Sequence, residues 1–564
     1  MSGYNHGGEL LAAAVRDAYA AGETDYSLKP LVRIDENGAP VGKVKDGDAL
    51  IFCCRRGERE IELTDAFVAA DFPHFERTPP AGLEFVILTM YHEKYAGLPI
   101  AFAPSKITGT VAEAVCAAGY RQLHCAESEK FAHVTFFFNG GNSKPFEGED
   151  DIRIPSPKGV PFDSLPALSL PQVADEVIAG LGEGYEFIVT NFANGDVIGH
   201  TSNKDAKIEC ATQVDIHLGK VLETAKAAGY VTIITADHGN LEEMTTPDGG
   251  PHVAHTANKV PFIVIDPAAD APYKLRDGSL RDVAPTVLSL LGLDMPESMT
   301  GQSLIEDGYD SGVGGVGGDL VSEAVNVSTF PYRRVYRSIS KNQRAKAMAK
   351  RQKARRVLLI ILDGWGFGPN KEDDPIYLAE TPVWDRLVAA YPPAQIEASG
   401  EAVGLQAGKP GNSEAGHINI GAGRTVKQDD VRLNEAMNDG SFENNEVLLN
   451  AIRLVRERHT SLHLLFLLTK KSSHGSIDYP LALLRMARDL PQIYLHVIFD
   501  GRSTPPGSAP DLLEEFDGMI RDTGANGQIV DGVGRGIALD RDGNYEKIKK
   551  TYNALVFGLG TEYK

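Results

Sequence analysis

Short apolar runs, each followed by a helical pattern, constrain the fold of this chain more than any other feature. Near-continuous apolar strands that alternate with helices are typical of sheets covered by helices on both faces. The pattern therefore predicts an α/β fold with buried parallel strands. The runs that we interpret as strands are 83–91, 185–192, 230–236, 260–266, 357–363 and 493–500.

A chain of 564 residues is too long for one hydrophobic core, so we expect two domains. Residues 306–355 interrupt the alternation, because they are first glycine-rich (DGYDSGVGGVGGD) and then basic, and neither part offers a strand. We interpret this stretch as a linker that can contain a basic helix. A basic patch for nucleic acid or membrane stays an alternative for the second half of the linker.

Charge and cysteine content exclude several classes of protein. The formal net charge of -21 argues against nucleic acid as the main partner, because phosphate backbones require clustered positive charge. The five scattered cysteines form no CxxC pair, which argues against a disulfide framework and a zinc knuckle. The start, MSGYNHGGELL, is not a signal peptide pattern, and no apolar run is long enough to span a membrane. We expect a soluble, cytoplasmic protein that is a monomer.

Acidic and histidine side chains recur where predicted strands end, in VLLIILDGWG, VTIITADHGN, NFANGDVIGH and GPHVAHT. A single aspartate at such a position is more often a turn former or helix cap than a metal ligand. Four clusters together predict a site with enough ligands for two ions, and oxygen and nitrogen ligands without thiolate suit manganese or magnesium, with zinc or cobalt as alternatives. The side chains concerned are Asp196, His200, Asp237, His238, His252, His255 and Asp363.

The segment GKPGNSEAGHINIGAG surrounds Ser413 with glycines, which allow a bulky anionic group to approach the backbone closely. The alternative is that Ser413 is a helix N-cap with a glutamate nearby. A serine hydroxyl is a weak nucleophile at neutral pH and needs a base or a metal ion, which the clusters of acidic and histidine residues can supply. The combination predicts phosphoryl transfer at Ser413.

The motif series resembles that of the cofactor-independent phosphoglycerate mutases, members of the alkaline phosphatase superfamily. The resemblance spans nearly all of residues 9–305 and 356–564, in LDGWG, GNSEAGHINIGAG, EKFAHVTFFFNGG, IPSPK, NFANGDVIGH, TADHGN, HVAHT and DGRSTPP. It implies interconversion of 3-phosphoglycerate and 2-phosphoglycerate, in glycolysis and gluconeogenesis, through a phosphoserine and two divalent ions. Manganese is the expected metal, with magnesium or cobalt as alternatives. The implied fold is an alkaline-phosphatase-like sheet sandwiched by helices, with a smaller α/β substrate domain.

The resemblance also implies roles for individual residues. Ser413 would be the phosphorylated nucleophile, and Lys130 in EKFAHVTFF would bind and neutralise the phosphate during transfer. By its sequence alone, Lys130 is more often a solvated surface lysine. The implied metal ligands form two sets, Asp196, His200 and His255 for one ion and Asp363, Ser413, Asp237 and His238 for the other.

One histidine and five arginines match the glycerate site of the family. Guanidinium groups bind phosphate and carboxylate in bidentate fashion, although each arginine alone is more typical of a surface residue. Ser503 replaces an aspartate that contacts substrate in the family, Ser476 replaces a second histidine, and Cys54 replaces an asparagine. A phosphatase, a mutase of another phosphorylated acid, or a degenerate binding scaffold therefore stay as alternatives. The matching residues are His474, Arg502, Arg535, Arg541, Arg56 and Arg59.

The order of the motifs differs from that of the family, where LDGWG lies near the N-terminus and MTGxSLI near the C-terminus. Here GLDMPESMTGQSLI ends at residue 305, and LDGWG follows only after the linker. This order predicts a circular permutation with the linker as its bridge. We expect a substrate domain from 1–104 and 428–564, and a phosphatase-like metal domain from 105–305 and 356–427.

Overall fold

The computed structural model of the protein describes residues 6–55, 59–104, 106–306, 355–470, 472 and 474–564. The chain forms two compact units. Unit 1 comprises Met1–Ser105 and Asp429–Lys564, and unit 2 comprises Lys106–Gln428. The predicted linker lies outside the described residues except for Glu306 and Arg355.

The strands confirm all six runs that were interpreted as strands from their apolar sequence. In chain order they are β1 (Leu31–Arg33), β2 (Ala49–Phe52), β3 (Glu84–Thr89), β4 (Ile100–Phe102), β5 (Gln122–Glu127), β6 (Glu149–Ile154), β7 (Phe187–Phe192), β8 (Tyr230–Thr235), β9 (Val260–Ile265), β10 (Gly278–Ser279), β11 (Arg356–Leu362), β12 (Ala394–Glu397), β13 (Leu462–Leu468), β14 (Ile493–Phe499), β15 (Gly527–Gly534) and β16 (Thr561–Tyr563).

Helices alternate with these strands, which confirms the expected α/β class. The α-helices are α1 (Gly8–Ala20), α2 (Ile61–Val68), α3 (Val111–Ala117), α4 (Leu170–Glu183), α5 (Asn194–Gly199), α6 (Lys204–Ala227), α7 (Val283–Leu291), α8 (Pro375–Leu378), α9 (Pro382–Ala390), α10 (Ser413–Ala422), α11 (Asp429–Asp439), α12 (Glu446–Arg458), α13 (Asp478–Met486), α14 (Ala509–Thr523), α15 (Arg535–Ala538) and α16 (Tyr545–Phe557). A π-helical turn spans His133–Phe137. Within the described ranges, no helix is both long and apolar enough to cross a membrane.

Unit 1 is a sheet with the strand order β16-β1-β15-β14-β13-β2-β3-β4, in which only the pair β1 and β15 is antiparallel. Successive side chains of a strand point to opposite faces. Leu464 and Phe466 of β13 accordingly pack in one core, and Leu465 and Leu467 pack in another. Helices cover both faces of this sheet, and β16, close to the end of the chain, pairs in parallel with β1.

Unit 2 is a sheet with the strand order β10-β12-β9-β8-β11-β7-β5-β6. The run 260–266 was expected to be a parallel strand, and this is wrong, because β9 is antiparallel to both β8 and β12. The physical reason is its connection: a parallel pair needs a crossover, usually a helix, and residues 236–259 between β8 and β9 contain no helix.

The centre of the unit 2 sheet brings three strand ends together. Strand β11 lies between β8 and β7 and is parallel to both, so that Ile361 is paired with Thr235 on one side and Leu362 with Phe192 on the other. The loops that follow these strands therefore leave the same edge of the sheet. This edge is where ligands bind in open parallel sheets.

Candidate active site

Three carboxylates converge at the carboxyl edge of the unit 2 sheet. Asp363 follows β11 directly, Asp237 lies two residues beyond β8, and Asp196 is on the short helix α5 after β7. Gly364 turns the chain after β11 with a φ of +73°, and a Cβ there would lie 2.7 Å from the backbone nitrogen of Asp196. Glycine at this position therefore permits the close approach of the β11 and β7 loops.

Ser413 is the first residue of α10 and faces this carboxylate cluster. The N-cap of α10 is Asn412, whose side chain accepts a hydrogen bond from the Ala415 backbone, so the alternative that Ser413 is the cap is wrong. The Ser413 Oγ lies 3.0 Å from Nε2 of His238 and donates to Oδ1 of Asp363 at 3.3 Å. The helix thus presents the hydroxyl to carboxylate and imidazole together.

Lys130 is buried among these groups, with 5% of its surface exposed, so it is not a solvated surface lysine. Its Nζ donates to Ser413 Oγ at 2.6 Å, to Asp196 Oδ2 at 2.6 Å and to Asp363 Oδ1 at 3.1 Å. Burial lowers the pKa of Lys130, but the carboxylates of Asp363, Asp196 and Asp237 outweigh burial and raise it above its ordinary value. The ammonium group therefore stays charged beside the serine.

The first predicted set of ligands surrounds one oxygen of Asp196. Its Oδ1 lies 3.0 Å from Nε2 of His255 and 3.2 Å from Nε2 of His200. The Nδ1–H of His255 donates to the Gly411 carbonyl and that of His200 donates to the Val253 carbonyl, and the two Nε2 atoms lie 3.2 Å apart. Two imidazole nitrogens and a carboxylate oxygen that converge at these distances fit a shared cation, and Nδ1 of each ring is held by a backbone oxygen, as in metal sites.

The second predicted set surrounds His238. Its Nδ1–H donates to the Gly239 carbonyl, while Nε2 lies 3.4 Å from Oδ1 of Asp363 and 3.6 Å from Oδ2 of Asp237. Burial and the neighbouring Asp237 carboxylate raise the pKa of Asp363. The buried Oδ2 of Asp237 has no hydrogen-bond partner among the described residues. An unpaired carboxylate oxygen in this crowded anionic pocket fits a metal ion as its partner.

His252 does not join either set of candidate ligands. Asp196, His238 and His255 form one group with ligand atoms close enough for one ion, and Asp237, His238 and Asp363 form another. The backbone oxygen of His252 instead accepts a hydrogen bond from Lys207 at 2.7 Å. Neither group contains His252, so a ligand role for this first histidine of GPHVAHT stays a prediction.

Two further residues support the site and were not found from the sequence. Asn191 donates through Nδ2 to Oδ2 of Asp363 at 2.6 Å and lies 3.1 Å from Nε2 of His417. The Nδ1–H of His417 donates to the Ser413 carbonyl at 2.9 Å and lies 3.3 Å from Oδ2 of Asp237. The position of His417 four residues after Ser413 in a helix was the available signal, because such residues share one face.

The predicted substrate residues lie in unit 1, and three of them are largely buried. Arg535 donates from Nη1 to Oδ1 of Asp500 at 2.6 Å, and its buried Nε has no partner among the described residues. Arg59 donates to the Leu539 carbonyl at 3.1 Å. His474 places Nδ1 3.3 Å from Oε1 of Glu60.

The remaining predicted substrate residues are exposed or lie outside the described residues. Arg502, Ser503 and Arg541 are exposed, and Arg56 falls outside the described ranges. The Ser503 hydroxyl donates to Oγ of Ser472 at 3.3 Å. The other two substituted positions are occupied by a buried Cys54 and by Ser476, which donates to Oδ2 of Asp478 at 2.7 Å.

Comparison with protein families gives matches to both units. The model of the Metalloenzyme superfamily matches residues 48–295, and the model described as the BPG-independent PGAM N-terminus matches residues 433–564. The first stretch is thus similar to metalloenzymes, and the second is similar to the N-terminal part of BPG-independent PGAM proteins. The superfamily match and the two ligand groups together indicate binding of divalent metal ions.

Curated relatives are similar over part of their length. A protein of Syntrophotalea carbinolica named 2,3-bisphosphoglycerate-independent phosphoglycerate mutase is 46% identical over 301 residues, which is 53% of this chain and 58% of the relative. A protein of the same name from Moorella thermoacetica is 43% identical over 311 residues, or 55% of this chain and 60% of the relative. The chain thus spans about six tenths of the length of these relatives.

A phosphoglycerate mutase of Leishmania mexicana, solved at low cobalt concentration, is 29% identical with a TM-score of 0.39. That comparison covers 48% of this chain and 53% of the Leishmania chain.

Proposed function

We propose that this protein interconverts 3-phosphoglycerate and 2-phosphoglycerate through a phosphoserine at Ser413, without bisphosphoglycerate. The observation that carries the proposal is the surrounding of the Ser413 hydroxyl by Lys130, His238 and Asp363, all within hydrogen-bond distance. Similarity to relatives named as mutases supports the choice of substrate. In this proposal unit 2 is the phosphatase-like metal domain and unit 1 is the substrate domain.

Lys130 would stabilise the negative charge of the phosphoryl group while it is transferred to and from Ser413. Its Nζ lies 2.6 Å from the serine oxygen. A fixed cation at the place where charge develops stabilises a transition state without a cost of reorganisation. The raised pKa of Lys130 keeps this cation protonated over the working range of pH.

Seven residues would hold two divalent ions, for which we propose manganese. The ions would supply the Lewis acidity that activates the serine oxygen and neutralises phosphoryl charge. Mixed carboxylate and imidazole ligands without thiolate are consistent with manganese. The proposed sets are Asp196, His200 and His255 for one ion, and Asp237, His238, Asp363 and the Ser413 oxygen for the other.

In unit 1, the predicted arginines would bind the phosphate and carboxylate of the glycerate, and His474 would contact the glycerate. The unpaired Nε of Arg535 is a buried donor that an anionic oxygen can satisfy. Arg59 keeps part of its guanidinium for a ligand, because only Nη1 is engaged by the Leu539 carbonyl among the described residues. Arg502 and Arg541 are exposed cations, which can reach a bound anion, and Arg56 is assigned on the resemblance.

An assay coupled to enolase tests the proposal on the full-length protein with manganese and without bisphosphoglycerate. We expect conversion of 3-phosphoglycerate by the wild type, and none by Ser413→Ala. The control Ser164→Ala removes an exposed hydroxyl that bonds its own turn and should keep wild-type activity. Equal activity of wild type and Ser413→Ala would contradict the proposal.

A second candidate is a phosphatase that uses the same metal site. Ser503 favours it, because the exposed hydroxyl there replaces the carboxylate expected to contact the substrate. Free phosphate and 2-phosphoglycerate should be measured in the same reaction. A mutase forms 2-phosphoglycerate with little free phosphate, and a phosphatase releases phosphate in proportion to the substrate consumed.

We also propose that the chain is a circular permutation of the mutase order. The model of the mutase N-terminus matches 433–564, after the metalloenzyme match at 48–295, which supports a swapped order. In unit 1, β16 pairs with β1, and the backbone N–H of Ile529 in the neighbouring strand β15 donates to the His6 carbonyl at 2.7 Å, which supports a short connection between Lys564 and His6. A chain of residues 355–564, a flexible connection and residues 6–306 should fold and keep activity. Failure of that chain to fold would count against the permutation.

A further inference from the structure

A buried glutamate of unit 1 contacts the histidine that the proposed function assigns to the glycerate. Glu60 precedes α2 and is fully buried, and its Oε1 lies 3.3 Å from Nδ1 of His474. The other oxygen, Oε2, has no hydrogen-bond partner within the part of the chain that the structure describes. A buried carboxylate with one unpaired oxygen is costly for folding. His474 is therefore the side chain through which Glu60 can act.

Among the titratable groups around Glu60, the imidazole of His474 is the one that bonds to its carboxylate. Burial raises the pKa of Glu60, while His474 and then Arg535 act in the opposite direction. Arg535 is itself engaged by Asp500, and the other titratable groups that face Glu60 are the buried Cys54 and Tyr91. Arg535 is thus shared with a second carboxylate, and Glu60 bonds to the imidazole.

His474 lies close in the hydrogen-bond network to the position of the missing aspartate. The Ser503 hydroxyl donates to Oγ of Ser472 at 3.3 Å, and the same Oγ accepts the backbone N–H of His474 at 3.2 Å. A serine hydroxyl does not take up or release a proton readily at neutral pH, whereas imidazole does. The histidine is therefore placed where an acid and base are needed.

We propose that Glu60 and His474 together replace the aspartate that Ser503 lacks, with His474 as the catalytic residue and Glu60 as a positioning residue. This inference rests on the proposed function. With Nδ1 held by Glu60, Nε2 of His474 exchanges a proton with the glycerate hydroxyl. The carboxylate holds the ring in one orientation and stabilises its charge after it has taken the proton.

The proton is balanced in both half-reactions. Ser413 enters the cycle as the alkoxide, after its own proton has left to solvent, and the Lys130 ammonium group at 2.6 Å stabilises the charge. When its Oγ forms the bond to phosphorus, the substrate ester bond breaks. The glycerate oxygen that leaves then takes the proton of the imidazolium. When the other hydroxyl takes the phosphoryl group back, its oxygen bonds to phosphorus, its proton passes to Nε2 of His474, and the bond to Ser413 Oγ breaks with its electron pair on the serine oxygen.

Kinetics of Glu60→Gln test the inference, because this change keeps the shape of the side chain and removes its charge. We expect kcat for isomerisation to fall about 100-fold with KM nearly unchanged, as for the loss of general acid and base catalysis. Glu62→Gln is the matched control, since Glu62 is a buried carboxylate of α2 that bonds the Gly543 backbone. This control should keep the wild-type kcat.

Restoring the missing carboxylate separates a catalytic role from a structural one. The double variant Glu60→Gln with Ser503→Asp should regain at least about tenfold in kcat, because the new carboxylate can handle the proton. If Glu60→Gln does not fold, His474→Gln is the second variant, with the same expected loss of kcat and the same rescue by Ser503→Asp.

The outcomes also distinguish this inference from the proposed function. A wild type that does not interconvert the phosphoglycerates overturns both. A wild type that does so, with Glu60→Gln at the wild-type kcat or with lost activity that Ser503→Asp does not restore, overturns the inference alone and leaves Glu60 as a structural residue.

Discussion

Lys130 Nζ lies 2.6 Å from the Oγ of Ser413, and both residues are buried at the carboxyl edge of one sheet. The same ammonium group also donates to Asp196 and Asp363, so it contacts one carboxylate of each proposed metal-ligand set. This places a fixed positive charge against the oxygen that would carry the phosphoryl group.

Removal of this charge should slow phosphoryl transfer strongly. We expect Lys130→Met to lower kcat by about 10²- to 10³-fold, the usual effect of removing one preorganised donor from a transition state. Lys144→Met, at an exposed lysine of the same unit, is the control and should keep wild-type kcat. Steady-state rates of the two variants check the prediction, and equal rates would remove Lys130 from the mechanism.

Loss of the Asn191 amide should weaken metal binding. Asn191 holds Oδ2 of Asp363 at 2.6 Å, and loss of such a supporting bond typically lowers metal affinity by about 10- to 100-fold. Manganese titration by calorimetry on Asn191→Ala measures this change. Asn258→Ala, whose amide bonds Glu242 and Glu243, serves as the control. An unchanged affinity in Asn191→Ala would show that Asp363 needs no such support.

A methyl group at Gly416 should disturb the contact of α10 with Asp237. A Cβ at this position would lie 2.7 Å from both the Cβ and the backbone oxygen of Asp237. We expect Gly416→Ala to destabilise unit 2 by about 1–3 kcal/mol and to lower activity. Gly182→Ala, in helix α4 with nothing within 4 Å of the new Cβ, should instead stabilise by about 0.5–1 kcal/mol. The melting temperatures of both variants and of the wild type, measured by thermal unfolding, check these opposite changes.

Mild acid should destabilise unit 1 through the buried imidazole of His463. Burial lowers its pKa from 6.5 to about 4, while Asp48 and His496 bond its two ring nitrogens. Between pH 6.5 and about 4, His463 binds a proton in the unfolded chain but not in the folded chain. The free energy of unfolding therefore falls as the pH drops through this range. The loss is on the order of 3 kcal/mol.

The pH dependence of the urea midpoint measures this effect. His463→Asn should lose less stability than the wild type across the same range of pH. His459→Asn is the control, because His459 is exposed and its φ of +54° is one that asparagine tolerates. If the urea midpoint of His463→Asn falls with pH as steeply as that of the wild type, a group other than His463 causes the loss of stability.

The convergence of Asp196, Asp237 and Asp363 could be predicted because parallel strands deliver their following loops to one edge of a sheet. The apolar runs identified the strands, and the residues that follow parallel neighbouring strands must lie close together at one edge of the sheet. The direction of β9 could not be predicted in the same way. A buried strand is apolar on both faces whichever way it runs, and only the helix-free connection 236–259 determines its direction.

Contacts between distant segments explain what the sequence did not reveal. Asn412 and Ser413 are both good helix caps, so composition alone could not decide which residue caps α10. Lys130 contacts carboxylates that follow two distant strands, and the contact of Glu60 with His474 joins residues 414 positions apart. No local pattern encodes such pairs.

The phosphorylated state of Ser413 tests the central claim most directly. Wild-type protein with manganese should be mixed with 3-phosphoglycerate, quenched in acid within one turnover, and digested for mass spectrometry. We predict phosphate on the peptide that contains Ser413, none on the same peptide of Ser413→Ala, and 2-phosphoglycerate in the wild-type supernatant. Formation of 2-phosphoglycerate with no phosphate on Ser413 at any quench time would contradict the account.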